Sequence, residues 1–359
     1  DPGWAVVNRG VLICDECCSV HRSLGRHISQ VKSLKKSYWS PSQNAMVFAL
    51  NNGGANNLWE HMLAESKTKK KPTPKDPVHP TKADFIKAKH QQLQFVPRSS
   101  DSLEDLNQQL HSSVRTTNIE TSLRLLAQGA DPNYLHPEKS TRALHVAAKA
   151  GQLAQVELLM AHGADPTLPD ANGSSVVQCA RLGGHREVEF RVTEALYEVT
   201  DRLTYFLCRR RPDHFAGQHF LMPESSDCII TPQPPSNQAT AKLRQLSNEQ
   251  FEDLAMDVYD EVDRRETESI WQLSGASLEH SPVLFLPVNP EFSSMRNQGR
   301  QKLATCTNGE FAALVFDILY EAKRRQTLTD GKESDDEPLY DIVASDEDYA
   351  TTEQIATLV

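Results

Sequence analysis

Three cysteines within five residues, Cys14, Cys17 and Cys18, form the densest reactive cluster in the sequence. A C-x2-C turn directs two thiolates at one tetrahedral Zn2+, which then requires two further ligands. Spacing alone also admits a pair of ordinary buried cysteines, so Cys14 and Cys17 stand first as metal candidates. The remaining cysteines, Cys179, Cys208, Cys228 and Cys306, are scattered singly. An odd total of seven, with no secretory signal, argues for reduced thiols and one metal knuckle instead of a disulfide framework. The chain carries no Walker loop, no Ser-His-Asp order and no GxGxxG after a strand, so it offers no nucleotide site of its own. His145 reads as a structural hydrogen-bonding residue. The Lys69-Lys70-Lys71 run reads as a solvated loop in preference to a phospholipid or nucleic-acid contact.

The elements that position these residues divide by composition. At 359 residues the chain has room for two to four domains, and 38% hydrophobic with 24% charged residues is ordinary for a globular protein. No apolar run is long enough to cross a bilayer and no signal peptide opens the chain, which places it by default in the cytoplasm. The net charge of −10 conceals two opposed ends. Residues 1–99 hold 15 Lys/Arg against 7 Asp/Glu, a balance that suits an anionic membrane surface or an acidic protein. Residues 326–359 hold 1 Lys against 10 Asp/Glu and are expected to be a disordered acidic tail. Tyr340, in Glu337-Pro338-Leu339-Tyr340-Asp341-Ile342-Val343, has the form of a phosphosite there, or is simply part of that tail. A Pro- and Lys-rich loop spans 65–82, and a helix carrying Phe85, Ile86 and Leu93 is expected after it.

Two internal repeats follow. Leu110-His111 recurs at Leu144-His145 and Gly129-Ala130-Asp131-Pro132 at Gly163-Ala164-Asp165-Pro166, both offset by 34, while Ala147 and Gly151 recur at Ala180 and Gly184, offset by 33. This period and pattern resemble the ankyrin repeat, with about three units over 104–203. Past a Pro/Ser/Gln-rich linker, a second repeat runs at a spacing of 60. Phe251, Leu254, Asp257, Glu261, Arg264 and Arg265 match Phe311, Leu314, Asp317, Glu321, Arg324 and Arg325. Each copy keeps apolar residues at i, i+3, i+4, i+7 and i+8, the signature of an amphipathic helix. Ser247 with Gln250 and Thr307 with Glu310 predict capping boxes at the two starts. The shared charges fit a rim around a partner groove, internal salt bridges, or a solvated outer face.

The string from Cys14 to Ser29, CDECCSVHRSLGRHIS, closely resembles the ArfGAP zinc finger, whose pattern is C-x2-C, about sixteen residues, C-x2-C, four residues, Arg. With ankyrin repeats and a duplicated helix in this order, nearly the whole chain resembles the GIT family of scaffold GTPase activators, and the duplicated part resembles its Spa2-homology region. Matching stretches include Pro2-Gly3-Trp4, Leu286-Pro287-Val288-Asn289-Pro290 and Asn297-Gln298-Gly299-Arg300-Gln301-Lys302-Leu303.

The resemblance implies a mostly α chain: a truncated ArfGAP finger over 1–98, ankyrin repeats over 104–203, a helical Spa2-homology region over 241–325 and the acidic tail. The family's first C-x2-C would fall before Asp1, so the chain reads as a fragment whose zinc site, with Cys14 and Cys17 alone, is incomplete. Arg22, five residues past Cys17, takes the family's arginine-finger position. About 100° per residue turns it about 140° from Cys17, off the metal side and outward. The implied activity is stimulation of GTP hydrolysis on a GTP-bound ADP-ribosylation factor, with no turnover chemistry of the chain's own. The implied partners of the duplicated helices are PIX-type exchange factors and focal adhesion kinase, and the implied location is a cytoplasmic protein recruited to adhesions and to endosomal or plasma membranes. The implied partner-binding residues are Leu254, Asp257, Arg264, Arg265, Leu314, Asp317, Arg324 and Arg325. A pure interaction scaffold with an inactive finger is the alternative. A nucleic-acid module is disfavoured, because the basic residues lack interleaved aromatics.

Overall fold

A computed structural model describes residues 2–66, 69–224, 226–230, 237–273 and 283–330. Tyr340 and the greater part of the expected acidic tail lie outside the described residues. The chain divides into two compact units: Asp1–Leu196 with Thr267–Val283, and Tyr197–Glu266 with Leu284–Val359.

The first unit opens on a small antiparallel sheet. Strand β1 (Trp4–Val6) is central, flanked by β2 (Val11–Ile13) and β3 (Val31–Ser33), with Trp4 opposite Ile13 on one side and Ser33 on the other. All three β1 side chains are buried, so the strand is apolar without alternation, as burial on both faces requires. Helix α1 (Asp15–Leu24) leaves β2 directly. Ser40 caps α2 (Pro41–Asn52), whose proline sits where no backbone donor is needed, and α3 (Ala55–Trp59) follows. Trp59 donates its indole N–H to the Arg9 carbonyl at 2.8 Å and lies beneath the Arg9 guanidinium. The helix expected around Phe85 is α4 (Ala83–Ile86), with π-helical turns at Val78–Lys82 and Lys87–Gln91. Phe85 and Ile86 are buried in it, whereas Leu93 falls beyond its end with φ 51°.

Three helix pairs then stack: α5 (Leu103–Ser113) with α6 (Ile119–Ala127), α7 (Ala143–Lys149) with α8 (Leu153–Ala161), and α9 (Val176–Leu182) with α10 (Arg186–Leu196). The repeated residues bind one unit to the next. His111 Nε2 and Thr141 Oγ1 lie 2.9 Å apart, and His145 Nε2 donates to the Ser174 carbonyl at 3.0 Å. Gly151 and Gly184 each turn the chain at positive φ, 71° and 74°, where a side chain is strained. No pair buries its apolar face alone; Leu110, Leu158 and Val188 close one continuous core with Trp4 and Trp59.

The second unit begins with α11 (Glu198–Cys208), so the expected repeat end at Leu203 falls inside this helix. Then come α12 (Asn237–Gln245), the long α13 (Asn248–Gln272), whose residues from Thr267 on belong to the first unit, α14 (Ser294–Lys302) and α15 (Asn308–Asp330). Both predicted capping boxes form: Ser247 and Gln250 exchange bonds of 3.1 and 3.2 Å, Thr307 and Glu310 bonds of 2.8 and 3.3 Å. Phe251, Leu254, Val258 and Val262 meet Phe311, Val315, Ile318 and Leu319 in one core.

The shared charges join the two copies through reciprocal clamps. Arg265 donates to Glu261, to the Leu303 and Cys306 carbonyls and to Asn308, and stands 4.2 Å from the Phe311 ring. Arg325 repeats this with Glu321, Leu243, Leu246, Asn248 and Phe251. Arg264 and Arg324 add the second fork to each glutamate. Glu261 and Glu321 are buried, and removing one partner of a buried pair typically costs about 3–5 kcal/mol. Arg265→Glu is therefore expected to lower the urea-unfolding free energy of the whole chain by that amount. Reversing the exposed Arg181, paired with Glu189, should change it by no more than about 1 kcal/mol. Equal effects of the two substitutions would contradict the clamp.

Candidate functional site

The chemistry-bearing residues of the first unit are set by where α1 starts. Cys14, extended at φ −83° and ψ 170°, is the last residue before the helix, and Cys17 lies in its first turn. Trp4 donates to Asp15 at 2.7 Å and Lys82 to Glu16 at 2.6 Å, which fixes the turn from both sides. Val20 and Leu24 pack with Cys17 against Ala83 and Ile86, so this stripe of α1 faces inward. The Cys14 thiol is held down to about 5, chiefly by a hydrogen bond from Cys17, with the Cys17 and Glu16 amides adding to it against burial. Cys17, which keeps the shared proton, is pushed up, and burial pushes up Cys18 as well.

One ready thiolate beside a second thiol is the donor set a zinc ion takes. Yet among the described residues no group of three or more His, Cys, Asp or Glu side chains is placed to hold a metal. Cys14 and Cys17 fit half of a tetrahedral site and do not complete one. His21 is engaged elsewhere: its Nδ1 lies 2.9 Å from Ser29 Oγ, and burial, then Lys89 and Arg9, lower its pKa to about 3.

Arg22 departs from the outward reach expected of it. It is 8% exposed, and its guanidinium is covered by residues of the same unit. Nη2 donates to the Glu268 carboxylate, and Cζ sits 5.1 Å from the Trp271 ring. Nη1 is buried and meets no hydrogen-bond partner among the described residues. Trp271 is 4% exposed and joins the core of the first unit. Sequence reasoning missed both covering residues. The signal available was the break in the 60-residue repeat, since Glu268 and Trp271 stand against Leu328 and Gly331 in the second copy.

The residues expected to bind partners in the second unit divide differently. Leu254 is buried in the core and Leu314 packs against it. The four arginines serve the clamps. Asp257 is claimed by Arg296 at 3.0 Å and Arg300 at 2.5 Å, both from α14. Asp317, its counterpart, is half-buried and meets no cation among the described residues.

A family model described as a putative GTPase-activating protein for Arf matches residues 1–99. A model of ankyrin repeats matches 125–180, and one for the Spa2 homology domain of GIT matches 239–267 and 299–327. The chain is 52% identical over 383 residues to the ARF GTPase-activating protein GIT2 of Rattus norvegicus, covering 97% of this chain and 50% of that protein. Identity is 52% over 376 residues to GIT1 of Homo sapiens, covering 97% and 49%. It is 45% over 413 residues to Git of Drosophila melanogaster, covering 99% and 56%. The chain thus spans about half the length of the curated relatives it matches.

The inequality of the two aspartates has a measurable consequence. Burial alone pushes the Asp317 carboxyl up from 3.8 to about 6. A group that keeps its proton longer in the fold than in the unfolded chain costs stability as pH rises through that window. Asp317→Asn, which is always neutral, should leave stability unchanged below about pH 3, under the unfolded pKa, and raise it at pH 8. The gain is on the order of 1 kcal/mol once screening at this half-exposed position is allowed for. Unfolding curves at the two pH values check this; a gain equal at both would be inconsistent with it.

Proposed function

This chain belongs to the GIT family of ArfGAP and ankyrin-repeat proteins, and from that premise we propose that it stimulates GTP hydrolysis by an ADP-ribosylation factor through Arg22. The observation that carries this is the place of Arg22 on α1. It lies in the turn after Cys17, off the Val20–Leu24 stripe that anchors the helix, with its guanidinium already engaging an oxyanion. A planar, permanently charged fork that binds a carboxylate also suits the oxygens of a phosphoryl group in transfer. Nucleotide and Mg2+ belong to the GTPase, and Arg22 supplies positive charge where negative charge develops. Trans-supplied arginines of this kind are typically worth about 10³–10⁵ in rate. A zinc ion, where Cys14 and Cys17 meet further ligands, would supply rigidity to the turn that carries α1.

The rest of the chain is a scaffold. The paired helices present a binding surface to PIX-type exchange factors and focal adhesion kinase, the ankyrin stack is a further protein-binding module, and the basic residues of 1–99 favour anionic membranes. We place the partner contact of the paired helices beside the half-open Asp317 and the exposed Tyr320, because the double arginines already serve the clamps. Among the described residues no helix is long and apolar enough to cross a membrane. We propose a cytoplasmic protein recruited to adhesions and membranes.

Arg22→Lys in the full natural chain should reduce stimulated GTP hydrolysis at least about 10³-fold while thermal unfolding stays cooperative. Lysine keeps the charge and loses the fork. Retention of more than about a tenth of the stimulation, against that expected loss, would show that Arg22 is not the activating arginine.

A further inference from the structure

The residues over Arg22 resemble what the proposed reaction would place there. Glu268 presents a carboxylate, an anionic oxygen pair of the same chemical class as the oxygens of a phosphoryl group. Its side chain and that of Arg22 are 12% and 5% exposed, so the pair is nearly dry. The carboxylate is held from more than one side: Gln272 Nε2 donates to Glu268 Oε1 at 2.9 Å, and the Val283 amide to Oε2 at 3.3 Å. Trp271 lays its ring beside the same guanidinium and directs its indole N–H at the Asp15 carbonyl, 3.5 Å away. Lys36 reaches the Leu273 carbonyl at 3.4 Å. All of these residues belong to the first unit.

Ordinary core packing does not account for this choice of residues. A helix end that only needed to bury apolar area would not bring a carboxylate onto the one arginine of α1. The cover is also incomplete, since Nη1 of Arg22 is buried without a hydrogen-bond partner among the described residues. A guanidinium offers five donors in a fork, and Glu268 satisfies only one edge of it. An incoming phosphoryl group would compete for a cation that its present partner holds imperfectly.

We propose that Glu268 and Trp271 are a tethered cap that occupies Arg22 in place of the GTPase, so that the arginine becomes available only when Thr267–Leu273 lifts away. The proposal rests on Arg22 being the activating arginine. The capped form lowers apparent activity by the fraction of molecules in which the cap is closed, and a GTP-loaded GTPase opens it by competing for the same guanidinium. The cap reduces how often a productive complex forms; it does not alter the reaction once Arg22 is engaged.

The test uses the full natural chain with a GTP-loaded ADP-ribosylation factor, together with phenylglyoxal labelling of Arg22 read by mass spectrometry. Glu268→Lys places a repelling charge on Arg22, and Trp271→Ala removes the ring. Each should raise kcat/KM by about tenfold, the effect of freeing a state populated near a tenth. Each should also speed Arg22 labelling by a similar factor. Glu268→Gln, which keeps the side-chain shape, should move both readouts in the same direction by less, and serves where charge reversal unfolds the chain. Unchanged labelling and unchanged kcat/KM in a folded Glu268 variant overturn the cap. Faster labelling without any change in kcat/KM overturns its regulatory role. Adding Arg22→Lys to the Glu268 variant should erase the gain; a gain that survives would show that the activating arginine has been misassigned, which is a different failure.

Discussion

A guanidinium taken out of water must meet anionic or carbonyl oxygen, and that requirement organises this molecule. Arg22 meets Glu268, Arg265 meets Glu261 and two carbonyls, and Arg325 meets Glu321 and two carbonyls. In the ankyrin stack Arg191 meets the buried Glu157 at 2.6 Å, and Ser42 of α2 donates to the same carboxylate. Apart from the within-helix Arg265–Glu261 and Arg325–Glu321 pairs, each contact joins segments far apart in sequence. Apolar burial supplies the bulk of the stabilisation, but it is indifferent to register. The charged forks decide which helix end meets which turn, because a misplaced fork leaves a buried charge unanswered.

The repeats show the same logic at two scales. In the ankyrin stack, identical residues recur because each unit presents the same edge to its successor, as His111 and His145 do toward the next hairpin. In the paired helices the recurrence is reciprocal: each copy carries a clamp for the entry of the other. A structure built on such symmetry makes its departures informative. Asp257 has α14 upon it and Asp317 has no cation among the described residues; Glu268 and Trp271 have no counterparts in the second copy. Function is inferred at those departures, whereas the matched residues hold the fold.

Much of the architecture was legible in the sequence because it is local. Capping boxes at Ser247 and Thr307 and the apolar stripes of α13 and α15 follow from residue order within a turn or two. The 33–34-residue period carries the ankyrin stack in the same way. The thiol pair stood out through its C-x2-C spacing, and Arg22 only through the resemblance of the Cys14–Ser29 string to the ArfGAP finger. What escaped was the environment of those residues. Four shared arginines looked equally suited to a rim, an interior or a solvated face, because a helix's periodicity says which side a residue lies on and not what meets it there. The partner of Arg22 lies 246 residues away. No local pattern encodes that contact, although the repeat-breaking Glu268 and Trp271 mark where one was to be sought.

The account turns on whether Arg22 and Glu268 hold each other in the protein as it exists in solution. A double-mutant cycle on the full chain, with Arg22→Met and Glu268→Gln singly and together, measures this by urea unfolding without reference to any GTPase. The account predicts a favourable coupling free energy of roughly 1–3 kcal/mol, within the range found for residues in direct contact. A coupling indistinguishable from zero, with both single variants folded, would mean that Arg22 is not held by Glu268 and would contradict it.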